Sequence, residues 1–214
     1  MRLVLPRLYV ILDAEQSPYP ELEFAEQMLN AGVRLLQYRN KNAPPREMVQ
    51  SARELAVMLK TKEALFFVND RPDVAHLADA SGVHVGQEDL GANEARAVLG
   101  PGKWVGVSTH GRVQFQAAAE SSADYIAVGP IFGTSSKRRP DPAVGTGLLK
   151  EVRELTDKPI VAIGGITLER ASEVIQAGAD SVAVISDILH AHDPGARAKQ
   201  FLHLLTAAPS AAAG

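Results

Sequence analysis

No cysteine occurs among the 214 residues, which excludes disulfides, thiolate metal centres and a cysteine nucleophile. Also missing is an excess of basic charge. The formal net charge is -3, so no positive field invites nucleic acid or an anionic membrane. No apolar run approaches the roughly 20 residues that a membrane span needs. Met1 to Val10 carries Arg2, Pro6 and Arg7 but neither an apolar signal core nor a small-residue cleavage site. These absences lead us to expect a cytoplasmic protein whose partners are small molecules. The sequence sets no oligomeric state, and a homo-oligomer is compatible with it. A hydrophobic share of 46% is ordinary for a globular chain. No linker divides the chain, so one domain is expected over residues 1–206. Only Ala207–Gly214 (AAPSAAAG) lacks apolar periodicity and is expected to fray.

What is present is a repeated alternation of short β-rich runs and longer helical stretches. Strands are expected at Leu8–Asp13, Val33–Tyr38, Leu65–Asn69, Gly82–Gly86, Lys103–Ser108, Tyr125–Val128, Pro159–Ile163 and Asp180–Ile185. Helices are expected at Glu21–Asn30, Arg46–Lys60, Pro72–Asp79, Asn93–Leu99, Val113–Ser121, Leu148–Leu155, Leu168–Gln176 and Ala196–Leu205. Breakers such as Ala31-Gly32, Gly100-Pro101-Gly102 and Ala177-Gly178-Ala179 fall between them. Continuous apolar strands such as Tyr125–Val128 and Ile160–Ile163 suit burial on both faces, and crossover helices make such strands parallel. Eight βα units of about 25 residues point to a (β/α)8 TIM barrel. An open doubly wound sheet is the alternative, but Leu12-Asp13-Ala14-Glu15 stands where its glycine-rich first turn would be.

In such a barrel the chemistry sits at the C-terminal ends of the strands. Here the second through eighth strands all end in groups suited to anions or metals, which points to a shared mouth. Gln37, Arg39 and Lys41 alternate along the second strand, so an extended chain projects all three to one side. Two cations and an amide converging there suit a diphosphate; the alternative is a solvated edge. Asp70 and Asp89 end adjacent strands and could together hold Mg²⁺. The alternatives are a salt bridge from Asp70 to Arg39 or Arg71, or helix caps. After the sixth strand comes Gly129-Pro130-Ile131-Phe132-Gly133-Thr134-Ser135-Ser136-Lys137-Arg138-Arg139-Pro140. Its three hydroxyls followed by three cations could cradle and cover a phosphate, or simply be solvated. Gly164-Gly165 and Ile185-Ser186 follow the last two strands, where phosphate-binding barrels receive the anion on backbone N–H groups. Gly165 permits close backbone approach, and Ser186 adds a hydroxyl.

Taken in order, these motifs resemble the thiamine phosphate synthase (thiamine-phosphate pyrophosphorylase) family. Gln37–Lys41 is similar to its Q-x-R-x-K strand, Asn69-Asp70-Arg71 to its N-D element, and His84–Leu90 to its H-x-G-Q-x-D-L stretch. Gly106-Val107-Ser108 is similar to its G-x-S, and Gly129–Lys137 to its G-P-x-F-x-T-x-[TS]-K loop. The resemblance implies a transferase that joins 4-amino-2-methyl-5-(diphosphooxymethyl)pyrimidine to a thiazole phosphate and releases pyrophosphate. It further implies that Gln37, Tyr38, Arg39, Asn40, Lys41, Asn69, Ser108 and Lys137 contact the pyrimidine diphosphate. Thr134, Ser135, Ser136, Gly165, Ile185 and Ser186 would bind the thiazole phosphate, and Asp70 and Asp89 would hold Mg²⁺. Lys137, Arg39 and Ser108 are the expected catalytic groups. Tyr38 and Asn40 fill variable slots of the pattern, and the 138–142 stretch fits none of it. Thiazole tautomerase on the same scaffold, or a non-catalytic thiazole phosphate-binding regulator, are the alternatives. Neither needs paired aspartates beside a cationic strand. No general base is expected, and His84 is assigned to strand packing and His110 to the lead-in of the next helix.

Overall fold

A computed structural model describes residues 2–134 and 141–207. Eight parallel strands close on themselves in sequence order. They are β1 (Leu8–Asp13), β2 (Leu35–Arg39), β3 (Leu65–Asn69), β4 (Gly82–Val85), β5 (Trp104–Thr109), β6 (Tyr125–Val128), β7 (Ile160–Ile163) and β8 (Ser181–Val184). Closure is made by β1 pairing with β8, Leu8 opposite Val182 and Val10 opposite Val184. That pairing removes both edges and excludes the open sheet. Around the barrel run α1 (Glu21–Ala31), α2 (Pro45–Lys60), α3 (Pro72–Leu77), α4 (Ala92–Leu99), α5 (Arg112–Glu120), α6 (Gly145–Arg153) and α7 (Leu168–Gln176). The short α8 (Ser186–Leu189) and α9 (Pro194–Ala207) follow.

Most expected boundaries shift by one or two residues. The second strand begins at Leu35 and includes Arg39, because Arg34 uses its guanidinium to bond the carbonyls of Leu29 and Val33 and so ends the α1–β2 turn. Helix α6 starts three residues earlier than expected, at Gly145, and ends at Arg153. The four-residue α8 was not anticipated. Ala207 closes α9 instead of opening a tail, and 208–214 lie outside the described residues.

Two-residue alternation sorts each strand between two environments. Leu8, Val10 and Leu12 of β1 face the helix layer, as do Leu36 and Tyr38 of β2. Tyr9, Ile11, Leu35, Phe67, Tyr125, Ala127, Val161 and Ala183 fill the barrel interior, joined by Leu3 and Leu5 from the segment before β1. The same alternation carries Asp13, Gln37 and Arg39 onto the inner face. Small residues make room for large ones there. A side chain at Gly82 would meet Phe67 Cε1 at 2.6 Å, and one at Gly106 would meet Tyr125 Cζ at 2.0 Å. The interior is thus a packed core, and only the C-terminal rim is free for chemistry.

Candidate active site at the barrel mouth

The rim over β2, β3 and β4 is built from charged side chains already bonded to one another. Asp13 lies opposite Arg39 in the β1–β2 register, and its Oδ2 accepts from Arg39 Nη1 at 2.6 Å. Asp13 is fully buried and also accepts from the Glu15 backbone N–H and from Gln16 Nε2. A buried carboxylate with that many partners fixes the guanidinium in place. Lys41, half exposed past the end of β2, pairs with Asp70 Oδ2 at 3.1 Å. Neither expected alternative for Asp70 is formed: Arg71 pairs with Asp73 at 2.5 Å, and no side chain caps α3.

Asp70 is in the left-handed region with φ 62°, a conformation costly for a non-glycine residue. Its backbone N–H donates to the His84 carbonyl at 2.7 Å, which aims its side chain across to β4. There Asp89 Oδ2 accepts from the Gly86 N–H at 2.8 Å, and Gly91, not Asp89, caps α4. Burial raises the Asp89 carboxyl above its ordinary value, and the adjacent Asp70 carboxylate raises it further. Two carboxylates crowded against each other are what a cation would relieve. Among the described residues no group of three or more His, Asp or Glu forms a cage. A pair suits Mg²⁺, which keeps waters and substrate oxygens in its remaining positions.

Tyr38 and Asn40 turn away from this rim, against the expectation that they touch the diphosphate. Tyr38 stands between the barrel and α1, its hydroxyl donating to Glu21 Oε1 at 2.9 Å, and burial pushes its phenol up to about 12. Asn40 bonds that hydroxyl and accepts from the N–H groups of Asn42 and Ala43, bracing the loop that carries Lys41. Strand alternation is the reason: residues 38 and 40 face opposite to 37, 39 and 41.

Across the mouth, β5 to β8 frame a cleft of about 440 Å³. Ser108, Thr134, Gly165, Ile185 and Ser186 line it together, as do His110, Asp141, Arg170 and Asp187. This half is shaped by backbone. Gly164 and Gly165 have φ of 100° and 61°. A side chain on Gly164 would meet Pro130 Cβ at 2.4 Å, and one on Gly165 would meet the Gly133 carbonyl at 2.5 Å. The Ile131 and Phe132 N–H groups bond the carbonyls of Ile163 and Gly164, tying the loop after β6 to the loop after β7. Arg170 spans both, donating to the Gly165 carbonyl and stacking 4.6 Å over Phe132. Asp187 receives the Leu168 N–H and both ends of Arg197, which sets α8 against α7 and α9. Ser135, Ser136 and Lys137 lie outside the described residues.

Sequence reasoning missed Asp13 and Arg170 as site residues and read His110 too narrowly. Asp13 was read only as a non-glycine turn, although a carboxylate ending an apolar strand beside an arginine strand was the available signal. Arg170 gave no signal, since its helix position is ordinary. His110 does more than lead into α5: its Nδ1–H donates to the Gly129 carbonyl at 2.5 Å and Nε2 faces Asp141 at 3.5 Å.

Comparison with known proteins places these observations in a family. Residues 8–188 match the family model described as thiamine monophosphate synthase. A thiamine-phosphate synthase of Koribacter versatilis is 52% identical over 208 residues, covering 95% of this chain and 97% of its own. One from Chlorobium phaeovibrioides is 44% identical, covering 88% of this chain and 89% of its own. Among solved structures, the thiamine phosphate pyrophosphorylase of Pyrococcus furiosus superposes with a TM-score of 0.86. It is 34% identical, with 94% of this chain and 95% of that one covered.

Proposed function

Because the chain belongs to the thiamine monophosphate synthase family, we propose that its barrel mouth joins a pyrimidine diphosphate to a thiazole phosphate, forming thiamine phosphate and releasing pyrophosphate. The activity is that of a transferase of thiamine biosynthesis. No helix among the described residues is long and apolar enough to cross a membrane, and we place the reaction in the cytoplasm.

The observation that carries this reading is the division of the mouth into two anion-suited halves that meet at Ser108. Gln37, Arg39, Lys41, Asn69 and Ser108 would take the pyrimidine diphosphate, with Arg39 held ready by Asp13. Asp70 and Asp89 would hold Mg²⁺, which when bound neutralises phosphate charge. Thr134, Gly165, Ile185 and Ser186 would take the thiazole phosphate, chiefly on backbone N–H groups made accessible by Gly165. We assign Ser135 and Ser136 to the same phosphate, and Lys137 to charge growing on the departing pyrophosphate.

In the reaction the C–O bond between the pyrimidine methylene and diphosphate breaks, and a bond from that carbon to the thiazole nitrogen forms. The nitrogen attacks with a lone pair and carries no proton, so no general base is needed. The aminopyrimidine donates density to its methylene as the diphosphate leaves, and the work left to the protein is positioning and charge stabilisation. A mouth rich in cations and donors fits that task. The tautomerase and regulator readings gain nothing from this geometry. Measuring pyrophosphate with each substrate alone and with both tests the proposal. Release only with both is expected, and release of none with both would overturn it.

A further inference from the structure

The barrel interior holds a row of polar groups that the packed core does not require. Gln37 Nε2 lies 2.8 Å from Tyr9 Oη, and Tyr9 Oη lies 3.1 Å from Tyr125 Oη. Tyr125 Oη lies 2.8 Å from His84 Nδ1, and His84 Nε2 lies 2.8 Å from Ser108 Oγ. The row crosses the barrel from β2 to β5, beneath the two halves of the mouth. Its members are held by their rings. Tyr125 stacks on His84 with centroids 5.5 Å apart and meets Phe67 edge-on at 5.4 Å. Gly106 on the strand between them leaves the space that the Tyr125 phenol occupies.

Burial raises both phenols far above their ordinary values, so each is a neutral group with one proton to donate. The Gln37 amide N–H donates to Tyr9. Either hydroxyl can donate in the Tyr9–Tyr125 bond; in the order that starts from Gln37, Tyr9 donates to Tyr125 and Tyr125 donates to His84 Nδ1. In that order Nδ1 is an acceptor, which would put the ring proton on Nε2. Hydrogen bonds aligned head to tail in this way strengthen one another in a dry interior.

We propose that the row Gln37–Tyr9–Tyr125–His84 is a positioning relay that fixes His84 as its Nε2–H tautomer, so that His84 donates to Ser108 Oγ and the Ser108 hydroxyl proton is left to point into the mouth as a donor to the ligand. His84 acts through Ser108 and exchanges no proton with substrate. The inference rests on the reading above that Ser108 touches the pyrimidine diphosphate.

Two measurements test it. In the full chain labelled with ¹⁵N-histidine, long-range ¹⁵N–¹H correlations separate the tautomers of the six histidines, and His84 is the signal lost in His84→Gln. An Nε2-protonated ring is expected; an Nδ1-protonated or doubly protonated ring overturns the relay. This arm needs no variant to be active. The second arm is kinetic. Gln carries an amide N–H near the place of Nε2, whereas Asn reaches only that of Nδ1. His84→Gln should therefore keep kcat within about threefold and His84→Asn should lose about tenfold or more, the scale of one misdirected donor at a charged group. The KM for the thiazole phosphate should stay unchanged in both. In a Ser108→Ala background the difference between Gln and Asn should vanish, since contacting groups are not additive. A difference that persists there makes His84 a packing residue and sinks the proposal. Wild-type kinetics in Ser108→Ala would remove the Ser108 contact itself, whereas an Nδ1-protonated ring would remove the relay and leave that contact standing.

Discussion

The two halves of the mouth do comparable work by opposite means. Over β2 to β4 the groups are long charged side chains, each held by a partner of opposite sign: Arg39 by Asp13, Lys41 by Asp70. Over β6 to β8 the shape is set by glycines in conformations that side chains rarely adopt, and by backbone bonds between neighbouring loops. The first half is specified by which charges stand where, the second by what is too small to obstruct. Loss of charge should injure one, and gain of bulk the other.

Breaking the charged half should cost most. Asp70→Asn or Asp89→Asn keeps size and removes charge, and turnover should fall by at least ~10²-fold, the scale of losing one electrostatic stabiliser. Circular dichroism should show the fold retained. Full activity of both variants at limiting Mg²⁺ would remove the metal assignment. Next comes bulk in the other half. Gly165→Val must leave φ 61° and move the Gly133 carbonyl 2.5 Å from its Cβ. The KM for the thiazole phosphate should rise about 10- to 100-fold, the range of a lost charged hydrogen bond. The KM for the diphosphate should change little.

Arg39→Ala sharpens the contrast from the other side. It should raise the KM for the diphosphate about tenfold and leave the thiazole phosphate alone. If both variants raise the same KM, the two halves are not separate sites. The smallest effect is expected at His110, whose ring lines the cleft without a proton to move in this reaction. His110→Gln should keep kcat within about tenfold of wild type, well short of the 10²–10⁴ lost with an acid–base catalyst. A loss of three orders of magnitude with the fold intact would restore a base to the mechanism.

The same contrast explains what could be read from sequence. Strands β1, β3 and β6 and helix α7 fall at their expected bounds: the strands are short apolar runs, and Ala177-Gly178-Ala179 marks the end of α7. The start of α6 did not, since Gly145-Thr146-Gly147 reads as a breaker although it forms the first turn. At the site, polar and charged residues at and just past strand ends were legible: Gln37, Arg39 and Lys41 by their spacing, and Asp70 and Asp89 by the adjacency of their strands. What charge and spacing do not show is which partner each group meets, although alternation along β2 already sets Tyr38 opposite to Gln37 and Arg39. The buried pair of Asp13 with Arg39 depends on register between β1 and β2, and the left-handed backbone of Asp70 has no signal in the sequence. Tyr9 and Tyr125 read as ordinary core aromatics, and only closure of the barrel brings their hydroxyls together. The division of the mouth was visible, but the partners that hold each half in place were not.

The packed floor of the barrel has a kinetic consequence. Leu3 and Leu5 lie with Tyr9, Phe67 and Tyr125 in one apolar cluster at and below the strand starts, so the vessel is stopped at one end. Two reactants and two products must use a single doorway. With the two halves side by side, each reactant reaches its own half from the same face. A product that lingers in one half competes first with the reactant that uses that half. Such traffic would show up in product inhibition, each product competing with the reactant whose half it occupies. The floor that gives the barrel its stability thereby also confines all exchange to the rim.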